Sequence, residues 1–112
     1  RVFPDGSGRV EIPLPADWKR YGHFTVGKPG EMVADGCYQE LPDKKWGGSW
    51  ISLLKVDWVQ SRIRWFPLAK HGSTWRSQDE HPHPVFSHAA DAIWFTSDTG
   101  GKRAVYRLKW EK

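Results

Sequence analysis

The sequence predicts an all-β chain of short antiparallel strands, and three observations carry that expectation. Glycine and proline clusters that favour turns recur throughout, as PDG at 4–6, PLPA at 13–16, GKPG at 27–30, PD at 42–43, GG at 47–48 and TGG at 99–101. Between them, apolar and polar residues alternate with the two-residue period of a half-buried strand. No segment sustains the 3.6-residue apolar period of a helix.

The elements follow in order. Residues 8–14 set Val10, Ile12 and Leu14 against Arg9, Glu11 and Pro13 and are expected as a strand. Residues 23–26 and 31–37 are short β-rich pieces on either side of the GKPG turn. Residues 50–58 and 62–68 form the next pair, with Ile63, Trp65 and Pro67 on one face and Arg62, Arg64 and Phe66 on the other. Residues 85–87, 92–96 and 105–110 supply the last three. Trp65 and Trp94, both inside alternating runs, are expected in the core.

With 112 residues, 38% of them hydrophobic, the chain is the size of one small domain. Its eight tryptophans suit both core filling and the walls of ligand sites. The net charge of +4 comes from basic residues scattered singly or in pairs, among them Arg1, Arg9, Lys19, Arg20, Lys44, Lys45, Arg62, Arg64, Arg103 and Lys109. No nucleic-acid partner is therefore expected, whereas an anionic small substrate steered by charge is compatible with the balance. Cys37 is the one cysteine, so no internal disulfide forms, and it reads as a small buried residue. No apolar run approaches the roughly 18 residues of a membrane span, and no signal segment opens the sequence. No membrane partner is expected; the expected location is cytoplasmic, with a periplasmic one as the alternative. Opening within a strand and turn at 2–8, the sequence reads as a piece of something longer.

The order of segments suggests a repeat. Strand, short turn and strand ending in an acidic residue occur at 21–36 and again at 83–98, and in each case a further strand follows. That is the rhythm of a propeller blade, although the copies start about sixty residues apart against about 40–50 for a typical blade. An insertion at 42–50 accounts for the excess.

Two of the five histidines flank a proline at 81–84, after QDE at 78–80. In an extended strand His81 and His83 project to one face and Pro82 and Pro84 to the other, so two imidazoles converge on one object. Imidazole nitrogens with one amide or carboxylate oxygen and open positions suit Mn²⁺, Zn²⁺ or Fe²⁺. The same residues in a loop would leave both imidazoles in water. Prolines on the innermost, edge strand of a blade remove N–H groups that have no neighbour to bond.

HPHPVFS at 81–87, followed by IWFTSD at 93–98 and AVY at 104–106, resembles the C-terminal blade of the oligogalacturonate lyase family, whose pattern there is HPHPSFSPDG, FTSD and VY. LAKHGSTW at 68–75 is similar to that family's RHxTSW segment, and GHF at 22–24 with ADG at 34–36 to its HF and DG strand pair. The resemblance covers most of the chain after residue 20. It implies a seven-bladed β-propeller that cleaves short pectic oligosaccharides by β-elimination, with a manganese ion at the central cavity; by donor chemistry another divalent ion such as Zn²⁺ is the alternative. It implies that residues 1–20 end a preceding blade, 21–70 form one blade with an insertion, and 71–112 form the last blade with the metal-ligand loop. The remaining blades come from a parent chain or another copy.

Residue by residue, the metal ligands implied are Gln78, His81, His83 and His23, with Asp79 or Glu80 as alternatives to Gln78. On inner strands of neighbouring blades His23 and His83 would meet; the other reading of His23 is a polar cap on a strand. The family's base and its arginine lie in upstream blades and match nothing here. His71 is the candidate substitute base, with a structural or substrate-contact role beside it, and Trp75 is a candidate substrate contact. His88 is expected in solvent. The function expected is a metal-dependent polysaccharide lyase acting on oligogalacturonides, this chain supplying the metal site and being inactive alone. The alternatives are a carbohydrate-binding β-sandwich using Trp46, Trp50, Trp58 or Trp75, and a propeller that serves as a non-catalytic interaction platform.

Overall fold

Short alternating segments separated by turns satisfy their backbone groups only by pairing with one another, and this chain does so in two antiparallel sheets. The structure, a computed structural model, describes residues 1–14, 22–36 and 50–109. Strands β1 (Phe24–Val26), β2 (Glu31–Ala34), β3 (Trp50–Asp57) and β4 (Arg62–Lys70) form the first sheet in that order. Strands β5 (Val85–Phe86), β6 (Ala92–Ser97) and β7 (Ala104–Lys109) form the second, also in chain order. A 3₁₀ turn, Gln78–Glu80, stands between them. The all-β expectation holds, and an up-and-down antiparallel sheet in chain order is the form a propeller blade takes.

Register explains which residues reach the core. Val33 pairs with Leu53 on one face of the first sheet, while Ala34 pairs with Ser52 and Met32 with Leu54 on the other. A bulge between Ile51 and Ser52 absorbs the mismatch between β3 and the longer β4. Val33 and Ile51 then meet Ile93 of the second sheet, with Leu68, Phe86, Phe95 and Leu108 around them. On the back of the first sheet Ala34 and Leu54 are covered by Met32, Ile63 and Trp65. The face assignment of Ile63 and Trp65 is as expected.

The first strands of the two sheets, β1 and β5, lie side by side. Gly27, just past β1, makes that approach possible, because a Cβ there would sit 2.5 Å from the Phe86 ring. The turn from β1 to β2 closes with Glu31 N–H donating to Lys28 O at 2.9 Å, and Gly30 takes the left-handed position at φ 80°.

Two expectations are corrected. Residues 8–14 form no strand; Val10 exchanges backbone hydrogen bonds with Arg1 at 2.8 Å, closing the turn at 3–7. Its alternation still has a physical role, since Val10 and Ile12 face Val26, Met32, Val56 and Ile63 across a cleft of about 760 Å³. Trp94 is not in the core but 40% exposed, with the Arg107 guanidinium 5.7 Å from its ring centre. Ile93 and Phe95 take the inward face of β6, and the two-residue period turns Trp94 the other way. Cys37, Trp46 and the insertion at 42–49 lie outside the described residues. Among the described residues no helix is long and apolar enough to cross a membrane.

The seam between the sheets yields a stability test. Ile93→Ala, at a fully buried site, is expected to cost about 2–5 kcal/mol in denaturant unfolding. Trp94→Ala, on the opposite face of the same strand, is expected to cost no more than about 1 kcal/mol. Equal losses at the two positions would contradict this assignment of faces.

Candidate metal centre

Because β1 and β5 run side by side, the residues that lead into them meet. His23 directly precedes β1 and His83 comes two residues before β5. Their ring centres are 3.8 Å apart, and His81 joins them at 5.4 Å from His23 and 5.8 Å from His83. Each of the three offers one ring nitrogen, and these nitrogens lie within 4.8 Å of one another. His81 is buried, His23 half-buried and His83 exposed, so the group opens toward solvent on the His83 side.

The convergence does not arise from a strand, which corrects the expectation for 81–84. His81 ends the 3₁₀ turn in an extended conformation, but His83 is left-handed at φ 43°, a conformation that costs a non-glycine residue about 1–3 kcal/mol. Pro82 and Pro84 are fully buried rather than lining an exposed edge. The Pro82 carbonyl accepts a hydrogen bond from Thr96 N–H at 2.9 Å, tying the turn to β6. A turn, not a pleat, brings the two imidazoles to one side.

Ring orientation follows from hydrogen bonds at Nδ1. The His83 Nδ1 lies 3.0 Å from the carbonyl oxygen of His81, which can only accept, so Nδ1 carries the proton and Nε2 the lone pair. At His23 the same logic runs through Asp35, whose Oδ2 lies 2.8 Å from His23 Nδ1. Asp35 follows β2, is fully buried, and accepts two backbone hydrogen bonds as well: His23 N–H at 2.6 Å to Oδ1 and His83 N–H at 3.0 Å to Oδ2. In the sequence Asp35 stands out as the acid that ends a repeat and as part of the ADG segment at 34–36, with no site role attached; its reach into the second sheet depends on tertiary contact. Gly22, at φ 118°, leaves room for it, since a Cβ there would lie 2.5 Å from Asp35 Oδ1.

The segment 71–75 forms a wall beside the histidines. Ser97 Oγ donates to the His71 carbonyl at 2.6 Å, and Asp98 accepts from Thr74 N–H at 2.8 Å and Thr74 Oγ at 2.5 Å. Those hydrogen bonds, the Thr74 hydroxyl first, hold the Asp98 carboxyl below its ordinary pKa. The Trp75 indole then stands edge-on to His81 at 4.5 Å and to His71 at 5.6 Å. His71 is buried, and its Nδ1 accepts from Ser73 N–H at 2.9 Å. In the neutral ring the proton is therefore on Nε2, an arrangement suited to a structural post rather than to a base.

Gln78 is exposed on the 3₁₀ turn, and its backbone carbonyl accepts from His81 N–H at 3.2 Å. Asp79 is paired with Arg103 at 2.7 Å, and Glu80 with Arg103 at 3.6 Å and with the Ser77 hydroxyl. Neither carboxylate belongs to the histidine group. His88 is exposed, as expected.

Three convergent imidazoles, two of them with Nδ1 turned to an acceptor and Nε2 left to ligate, match the donor chemistry of a borderline divalent ion. Burial holds the His81 pKa below its ordinary value, with His23 adding to the shift and Asp35 opposing it. That keeps the ring in the form able to ligate.

No protein-family model matches the chain, and no solved structure matches it. Over 85 residues, 70% of this chain, it is 35% identical to the oligogalacturonate lyase of Dickeya dadantii (strain 3937). The match spans 22% of that relative's length. The relationship is partial, and it falls on one portion of a longer enzyme.

A pH dependence follows from His81. Its folded-state value is depressed, so the unfolded chain takes up a proton first as pH falls. The contribution to stability is intact above the ordinary imidazole value of about 6.5 and is lost as pH falls through the folded value. Unfolding midpoints followed from mildly alkaline to mildly acidic pH should fall for the wild type, and less steeply for His81→Leu. Identical slopes would show that His81 carries no such linkage.

Proposed function

We propose that this chain forms the metal-binding part of an oligogalacturonate lyase-like enzyme that cleaves short pectic oligogalacturonides by β-elimination. The observation that carries the reading is the meeting of His23 with His81 and His83 across the two sheets, in a chain partly related to such a lyase. In this reading His23, His81 and His83 hold Mn²⁺, Gln78 completes the set from the exposed turn, and Zn²⁺ is the alternative ion. Residues 1–20 end one blade, 21–70 make the next, and 71–112 make the last of a propeller.

The reaction removes the proton from the carbon beside a uronate carboxylate, expels the glycosidic oxygen from the neighbouring carbon, and leaves a carbon–carbon double bond. A bound divalent ion supplies positive charge that neutralises the carboxylate and so stabilises the charge developing as the proton leaves. This chain's own residues orient and enclose. Asp35 and the His81 carbonyl fix ring tautomers, the Ser97 and Asp98 hydrogen bonds hold the 71–75 segment, and Trp75 offers an apolar wall for a sugar ring. The base and the arginine that holds the acid group belong to the rest of the propeller. A sugar platform at Trp50 or Trp58 has less support, since the Lys70 ammonium lies 5.6 Å from the Trp50 ring centre and the Arg1 guanidinium 4.9 Å from that of Trp58.

Elemental analysis of folded protein after incubation with manganese and with zinc is the direct test. The wild type and His88→Ala are expected to retain a stoichiometric ion, and His81→Ala and His83→Ala to lose it. Retention of neither metal by the wild type would end the reading. With short oligogalacturonides, the chain alone should give no unsaturated product by ultraviolet absorbance. A longer protein containing it should give product that disappears on chelation, and a metal-loaded longer protein that never forms it would favour a non-catalytic propeller.

A further inference from the structure

We infer that Asp35 is the positioning residue of the histidine centre, setting the tautomer of His23 and the backbone conformation of His83 so that metal affinity depends on a group that need not touch the metal. The inference rests on the metal-binding reading above and deepens it. Both carboxylate oxygens are already committed: Oδ1 to His23 N–H, Oδ2 to His23 Nδ1 and His83 N–H. A carboxylate so used is an orienting acceptor, the role that carboxylates commonly take toward ligating imidazoles. It acts on two ligands at once by different means. At His23 it draws the proton to Nδ1 and leaves the lone pair on Nε2. At His83 it anchors the amide of a left-handed residue that precedes a proline, where the backbone is otherwise disfavoured.

The site is built for a carboxylate and for little else. Asp35 is fully buried, and Gly22 packs so closely against it and the next residue that a Cβ at Gly22 would fall 2.5 Å from Oδ1 and 2.6 Å from the Gly36 nitrogen. An asparagine has the right shape but one oxygen. Whichever way the amide turns, its NH₂ faces either His23 N–H or the pair formed by His23 Nδ1 and His83 N–H. In the first case a backbone donor is orphaned. In the second, the His83 N–H is orphaned, and His23 moves its proton to Nε2 and gives up the nitrogen that would ligate.

The experiment compares wild type, Asp35→Asn and Leu54→Ala by Zn²⁺ titration calorimetry and by imidazole ¹⁵N spectra of the metal-free proteins at alkaline pH. Asp35→Asn is expected to weaken Zn²⁺ binding about 10–100-fold and to raise the Nε2–H tautomer at His23. Leu54→Ala, buried on the back of the first sheet and away from the seam, should leave affinity within about twofold and the tautomers unchanged. A folded Asp35→Asn with wild-type affinity and wild-type spectra would overturn the inference. Should that variant not fold, the wild-type spectrum decides alone: His23 must show Nδ1–H, and Nε2–H there would overturn the proposal. A wild type that binds no Zn²⁺ yet shows Nδ1–H at His23 would sink the metal-binding reading and leave the orienting contact standing.

Discussion

A buried carboxylate with three N–H donors around it ties the two sheets together where the histidines meet. An ionised group removed from water is tolerated only when it is fully hydrogen-bonded, and Asp35 meets that condition with donors from both sides of the seam, His23 from the first sheet and His83 from the loop into the second. The condition constrains much else. It requires glycine at 22, it requires β1 and β5 side by side, and it requires the Val33, Ile51 and Ile93 packing that holds the sheets at that distance. Any change that opens the seam also moves the imidazoles.

The second sheet repeats the device with different targets. Asp98 follows β6 as Asp35 follows β2, and it too clasps the segment leading into its own sheet, here through the Thr74 backbone and hydroxyl and the Ser73 hydroxyl. The clasp fixes the position of Trp75, which sits in a left-handed conformation at φ 58° against His81. A repeated strand-final acid thus does one mechanical task twice, and both copies converge on the same cluster of rings.

The sequence made some of this legible and hid the rest for identifiable reasons. Strands β4 and β7 announce themselves by a two-residue period sustained over five or six residues, and β3 and β6 by short apolar runs bounded by turn residues. The pairing of His23 with His83 was readable because a repeat aligns the starts of corresponding strands. Trp94 was misplaced because a period tells which residues share a face, not which face another sheet covers. Residues 8–14 alternate convincingly, yet alternation supplies no partner strand, and the segment covers the back of the first sheet without joining it. The left-handed His83 and the reach of Asp35 depend on backbone torsion and tertiary contact, which no residue pattern states.

The two imidazoles with fixed tautomers show that division most clearly. His83 takes its acceptor locally, from the carbonyl two residues back, and the His-Pro-His spacing with a buried Pro82 is what turns that carbonyl toward it. His23 has no such neighbour and takes its acceptor from Asp35, across a turn and a strand. The local arrangement can survive in a loop that has lost its sheet; the tertiary one cannot. The folded pair of sheets with its seam closed, rather than the histidine motif by itself, is therefore the unit that presents three convergent nitrogens.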